Sequence, residues 1–167
     1  LTFDDWGRTN NTVMRIDGND YLFGYAPCEW VNRLGELGKD PTGRERSGLR
    51  STLRVAPTKV DVEVAQTVEV VPGEQSHALD TCLISYRLEN KDHKPHNVGI
   101  RFMLDTFIGA EDGVPFTIPG QKNLCDTKAQ FAGAQVPDYI EALEYPDLQH
   151  PGTCLLYTSP SPRDRQK

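Results

Sequence analysis

Apolar and polar residues alternate along the middle of the chain with the period of a strand. Val60, Val62, Val64, Val68 and Val70 take the even positions against Asp61, Glu63, Ala65, Thr67 and Glu69, and Gln66 is the one break on the apolar side. Successive side chains of a strand point to opposite faces, whereas a helix would scatter these valines around its circumference. Eleven residues at ~3.3 Å each span roughly 36 Å, long for a strand and suited to a large sandwich. Just upstream, Leu49, Ser51, Leu53 and Val55 share one face and Arg50, Thr52 and Arg54 the other. Pro72-Gly73 closes the long strand with a turn.

The segment from Cys82 to Thr106 predicts a hairpin around which the rest of the chain is arranged. Cys82, Ile84, Tyr86 and Leu88 share a face on its first arm, and Val98, Ile100, Phe102 and Leu104 do so on its second. Asn90-Lys-Asp-His-Lys-Pro95 supplies the connection: Pro95 cannot donate to a ladder, and Asn and Asp favour local turn bonds. The core is expected between these eight side chains, each contributing on the order of 1.5–3 kcal/mol before chain entropy is subtracted.

Elsewhere the pattern is shorter. Val13-Met-Arg-Ile16 and Tyr21-Leu-Phe23 flank Asp17-Gly18, the signature of a tight hairpin. Tyr25 to Ser47 reads as an extended loop, because Pro27, Gly35, Gly38, Pro41 and Gly43 interrupt it. Phe107 to Gly120 reads as an ordered loop pinned by Phe107, Ile108, Val114, Phe116 and Ile118. One helix is predicted, Asp138 to Tyr145, with Asp138 as cap, Glu141 three residues on as in a capping box, and Pro146 as stop. The fold class is therefore all-β, a large antiparallel sandwich with one short helix near 138–145.

Composition narrows the function classes. No apolar run approaches the length of a membrane-spanning helix. The net charge is −6, and residues 1–153 alone carry 15 Lys+Arg against 23 Asp+Glu. An acidic body with dispersed basic residues argues against nucleic acid as a partner. Cys28, Cys82 and Cys125 show no CxxC spacing, so they are expected as buried thiols or as one unassigned disulfide pair. GxSxG, HExxH and phosphate-cradling glycine loops are absent, and no catalytic residue is assigned.

Three groups remain as candidates for binding. Asp105, Glu111 and Asp112 are the densest carboxylates; they read first as turn and loop scaffolding and second as a calcium or sugar site, the only cofactor in view being Ca2+. Trp6 and Trp30, with Asp4 and Asp5, are candidates for stacking on a glycan, although a packing role is the first reading of a tryptophan. His93 and His96 lie in a turn without Cys or carboxylate partners at zinc spacing and read as exposed turn residues.

Two resemblances sit on these residues. Ser85-Tyr-Arg-Leu-Glu-Asn-Lys-Asp92 with His96-Asn-Val-Gly-Ile-Arg101 resembles the strand, Glu-Asn turn, strand unit of galactose-mutarotase-like supersandwich domains. Val98 to Phe116 is similar to uncharacterised bacterial sandwich proteins of planctomycete type. Together they cover about residues 1–153 and imply a carbohydrate-associated fold. That single domain is expected to be truncated at both ends, and an exported or cell-envelope setting is expected over a cytoplasmic one. The mutarotase family uses a catalytic His and Glu; no matching His motif stands at the equivalent strand, so none is carried over. Cys154-Leu-Leu-Tyr-Thr-Ser-Pro-Ser-Pro-Arg-Asp164 resembles the translation of a transposon-end sequencing adapter. Residues 154–167 are accordingly expected to be a non-native, disordered tail outside the fold.

Two functions from different classes follow. One is a non-catalytic β-sandwich module of a larger bacterial protein, binding glycan or other domains of the same chain. The alternative is the N-terminal sandwich portion of a carbohydrate-active enzyme, a glycoside hydrolase or epimerase-like protein, whose catalytic residues lie outside this stretch.

Overall fold

The computed structural model describes residues 8–55, 60–73, 76–105, 115–146, 149 and 153–157, the last five by their backbone alone. The chain is all-β. Its strands are β1 (Asn11–Ile16), β2 (Asn19–Leu22), β3 (Cys28–Glu36), β4 (Ser47–Val55), β5 (Val62–Val71), β6 (Thr81–Asn90), β7 (Val98–Met103), β8 (Phe116–Thr117), β9 (Tyr139–Leu143) and β10 (Thr153–Tyr157). The sole helical element among the described residues is a 3-10 turn, Gly133–Gln135. Contacts divide the chain into two compact units, Asn11–Phe102 and a second made of residues 1–10 with 103–167.

The Asn11–Phe102 unit is sandwich-like. A four-stranded antiparallel meander, β3-β4-β5-β6, forms one sheet, and β2-β1-β7 forms the other. Both long alternating runs of the sequence are strands: β4 and β5 pair continuously from Ser47↔Val70 to Val55↔Val62. Met14 and Ile16 of β1 bury completely in one cluster with Val55, Val62 and Val64, and Tyr21, Phe23, Cys28, Val60, Tyr86 and Leu88 pack against it. On the opposite, polar face, Arg54 Nε donates to Asp61 Oδ1 at 2.7 Å and Arg46 Nε to Glu69 Oε1 at 2.8 Å. Both arginines are bidentate, an arrangement matched to the planar guanidinium. Arg46 thereby ties the loop before β4 to β5.

The Asp17-Gly18 hairpin forms as its sequence requires. Both residues adopt left-handed backbone, φ 50° and 83°, and β1 pairs with β2 from Ile16↔Asn19 outward. Two positive φ values in succession give the twist that matches a right-handed strand pair, and Asp and Gly tolerate them best.

Gln66, the break in the valine period, is satisfied where it stands. Its Nε2 donates to the Tyr86 hydroxyl at 2.6 Å, and that hydroxyl lies 2.7 Å from Thr12 Oγ1. Thr12 is itself buried, so the three polar groups complete one another's bonding across the two sheets.

Several expectations are corrected. The Cys82–Thr106 segment is not a hairpin: β6 pairs with β5, while β7 lies beside β1 in the other sheet. Alternation identifies a strand but carries no partner, and a polar connection of this length does not impose pairing on its two ends. Nor is the core there. Ile84, Val98, Ile100 and Phe102 are exposed, and within the Asn11–Phe102 unit the fully buried hydrophobic side chains belong to β1, β4 and β5.

The Tyr25–Ser47 stretch contains strand β3, not a continuous loop. Pro27 precedes the strand and Gly38, Pro41 and Gly43 follow it, while Gly35 is its last residue but one; alternation fails inside because the pairing with β4 shifts between Trp30 and Asn32 and again between Asn32 and Gly35. Bulges of this kind break the period-two signal and are common on edge strands.

The predicted helix over 138–145 is strand β9, paired with β8 on one side and β10 on the other. So short a helix gains little from local propensity alone, and aromatic and β-branched Tyr139 and Ile140 favour the sheet. Glu141 does not close a capping box; its Oε2 accepts from Thr117 Oγ1 at 2.7 Å on the neighbouring strand. In this second unit Ile118, Ala142 and Leu143 are buried. The backbone of Thr153–Tyr157 pairs with β9 as β10. Cys-Leu-Leu-Tyr is apolar enough to extend a strand whatever its origin. Residues 158–167 lie outside the described residues.

Candidate functional site

Trp30 stands on β3, the outer strand of the four-stranded sheet, opposite Leu53 of β4. The turn before β3 prepares its setting. Tyr25 N–H donates to the Leu22 carbonyl at 3.2 Å, Gly24 takes φ +89°, and Cys28 N–H returns to the Tyr25 carbonyl at 2.9 Å. This fold-back brings Phe23 against Trp30, with centroids 5.8 Å apart and planes perpendicular. Phe23 in turn meets Tyr86 at 6.4 Å, so the indole is anchored through an aromatic chain to the core. Edge-to-face contacts of this kind add about 0.5–1.5 kcal/mol beyond area burial.

Arg33 completes the arrangement, its guanidinium carbon 5.6 Å from the Trp30 ring centroid. In a regular strand residues 30 and 33 would point to opposite faces. The two register shifts of β3 remove that opposition and bring the cation over the indole. Trp30 remains 40% exposed despite both contacts. Tyr25, Val31 and Leu34 are exposed on the same turn and strand. The result is an orientated aromatic surface with guanidinium donors beside it, suited to a ligand that has an apolar face and a hydroxyl rim.

The remaining candidates are distributed differently. Trp6, Asp4, Asp5, Glu111 and Asp112 lie outside the described residues. Asp105 follows β7, and its backbone N–H donates to Asn10 Oδ1 at 2.7 Å. No group of three His, Cys, Asp or Glu among the described residues is placed to hold a metal. Cys28, Cys82 and Cys125 are free thiols. Burial raises the Cys28 thiol above its ordinary pKa, and its Sγ contacts the Leu22 carbonyl at 3.7 Å. Cys82 is exposed, which corrects its expected burial.

His93 is exposed as expected, but His96 is not: its side chain is 5% exposed and lies between two carboxylates. Nδ1 is 2.6 Å from Asp17 Oδ2 and Nε2 is 3.2 Å from Asp92 Oδ2. Hydrogen bonding to Asp17, more than to Asp92, raises the imidazole above its ordinary pKa, and hydrogen bonding to His96 lowers both carboxylates. Sequence reasoning missed this constellation because Asp17 and His96 are 79 positions apart. The arginine over Trp30 was missed for another reason: its signal depends on bulges that the residue pattern does not announce.

No protein-family model, curated protein or solved structure matches the chain.

Proposed function

We propose that the chain is a non-catalytic β-sandwich module of a larger protein and that it binds glycan at the Trp30 edge. The observation that carries this reading is the half-exposed indole, held in one orientation by Phe23 and flanked by Arg33. A pyranose presents C–H groups that pack on an aromatic face, while its hydroxyls accept from guanidinium N–H groups. Fixing both protein groups before binding lowers the ordering cost of association. The resemblance of Ser85–Arg101 to galactose-mutarotase-like supersandwich domains supports the same ligand class.

A glycan array probed with the intact chain, followed by tryptophan-fluorescence titration of the hits, tests the reading. Trp30→Ala is expected to abolish binding with the far-ultraviolet circular dichroism unchanged, and Arg33→Ala to weaken it. An array with no hits, or a Trp30→Ala protein that binds as well as the parent, would overturn it.

A further inference from the structure

His96 connects three parts of the Asn11–Phe102 unit. It lies in the connection from β6 to β7, which crosses from the four-stranded sheet to the three-stranded one. Asp17, at the tip of the β1–β2 hairpin, receives Nδ1 at 2.6 Å, and Asp92, at the start of the connection, faces Nε2 at 3.2 Å. The same Asp17 also holds the neighbouring residue: its Oδ1 accepts Asn97 N–H at 2.9 Å, and its N–H donates to the Asn97 carbonyl at 2.9 Å. Asp92 is itself held, since its N–H donates to Asn90 Oδ1 at 2.9 Å and its Oδ1 accepts His93 N–H at 2.6 Å. Neither carboxylate is free to swing away from the imidazole without losing a backbone bond.

The chemistry of the ring decides its charge. A neutral imidazole carries one N–H and one lone pair, so it can donate to only one of these two carboxylates. The second contact would set a nitrogen lone pair against a carboxylate lone pair. Imidazolium donates to both. The other charged groups nearby do not compete: Lys91 pairs with Glu89 at 2.6 Å, Arg15 with Asp20 at 3.5 Å, and His93 and Lys94 are exposed. The same double engagement leaves no ring nitrogen for a metal or for general-base work.

We propose that His96 is a pH-sensitive clasp: as an imidazolium held between Asp17 and Asp92 it tightens the β6–β7 crossover onto the β1–β2 turn, and on losing its proton it keeps only one carboxylate and loosens the crossover, leaving the Asp17–Asn97 bonds to hold it. The direction follows from linkage. A histidine whose folded pKa is raised contributes stability that is fully present below the unfolded value of about 6.5 and is lost as pH rises through the folded value. The two lowered carboxylates set the other limit, since their contribution is lost as pH falls below about 3.9 and through their folded values. The clasp is therefore closed between the ordinary aspartate and histidine values, about 3.9 and 6.5, and loosens as pH rises through the raised value of His96.

Titration of the histidine ring signals by NMR in the full chain reads the clasp without any substitution. His96 is expected to titrate above the ordinary histidine value of about 6.5, with both ring nitrogens protonated below its own value. Hydrogen exchange adds the structural consequence: the Asp17 and Asn97 amides, corrected for intrinsic pH dependence, should lose protection as His96 deprotonates. Thermal melts of the parent, His96→Gln and Asp92→Asn proteins between about pH 6 and pH 9 then test the linkage. The parent is expected to lose melting temperature across that range while His96→Gln stays flat and meets it at the alkaline end. Titration of His96 at or below the ordinary histidine value, or an equal pH dependence in His96→Gln and the parent, would overturn the proposal.

Discussion

Strand β5 presents the same residue type to the same face at Val64 and Val68, and the two fare differently. Val64 is fully buried against β1, whereas Val68 is 37% exposed. Their cross-strand neighbours follow suit: Leu53 opposite Val64 is buried, while Leu49 and Ile84 opposite Val68 are exposed. The boundary between the halves is Gln66, whose amide reaches Tyr86 and, through its hydroxyl, Thr12 of β1. A period-two pattern assigns side chains to a face, but burial along that face depends on how far the opposing β1–β2 hairpin extends. The polar residue stands where the cover from β1 ends.

That contrast can be broken at four places. Ile16→Ala on the covering strand is expected to cost the most, about 2–5 kcal/mol, because it removes buried methyl groups and leaves a cavity. Val64→Ala, on the covered half of β5, should cost about 1.5–3 kcal/mol by the same physics with fewer atoms lost. Tyr86→Phe at the boundary removes the hydroxyl shared by Gln66 and Thr12, for about 1–3 kcal/mol, since it orphans two polar groups and not one. Val68→Ala should stay within about 0.5 kcal/mol. Denaturant titration of the four proteins side by side checks the order; equal losses for Val64→Ala and Val68→Ala would erase the distinction between the halves.

The two side-chain groups behind the proposals differ in a related way. The Trp30 edge is local, since its indole, arginine and supporting Phe23 lie within eleven residues, and the tryptophan was visible as a stacking candidate in the sequence. The His96 clasp is non-local, and its histidine reads as an ordinary turn residue until the β1–β2 hairpin is placed beside it. Local composition suggested the first; only the meeting of distant turns creates the second.

The sequence by itself determined the strands with a clean period of two, β4, β5 and the arms β6 and β7, and the Asp17-Gly18 turn. These depend on backbone geometry and side-chain sterics, which act over a few residues. Tertiary structure decided that β6 and β7 join different sheets, that 139–143 pairs as a strand despite a helix-like cap and stop, and that β3 survives its bulges. Partner choice and burial are set by long-range contacts whose free energy exceeds the fractions of a kcal/mol in local propensity. The core therefore lies where β1 meets β4 and β5, and not between β6 and β7.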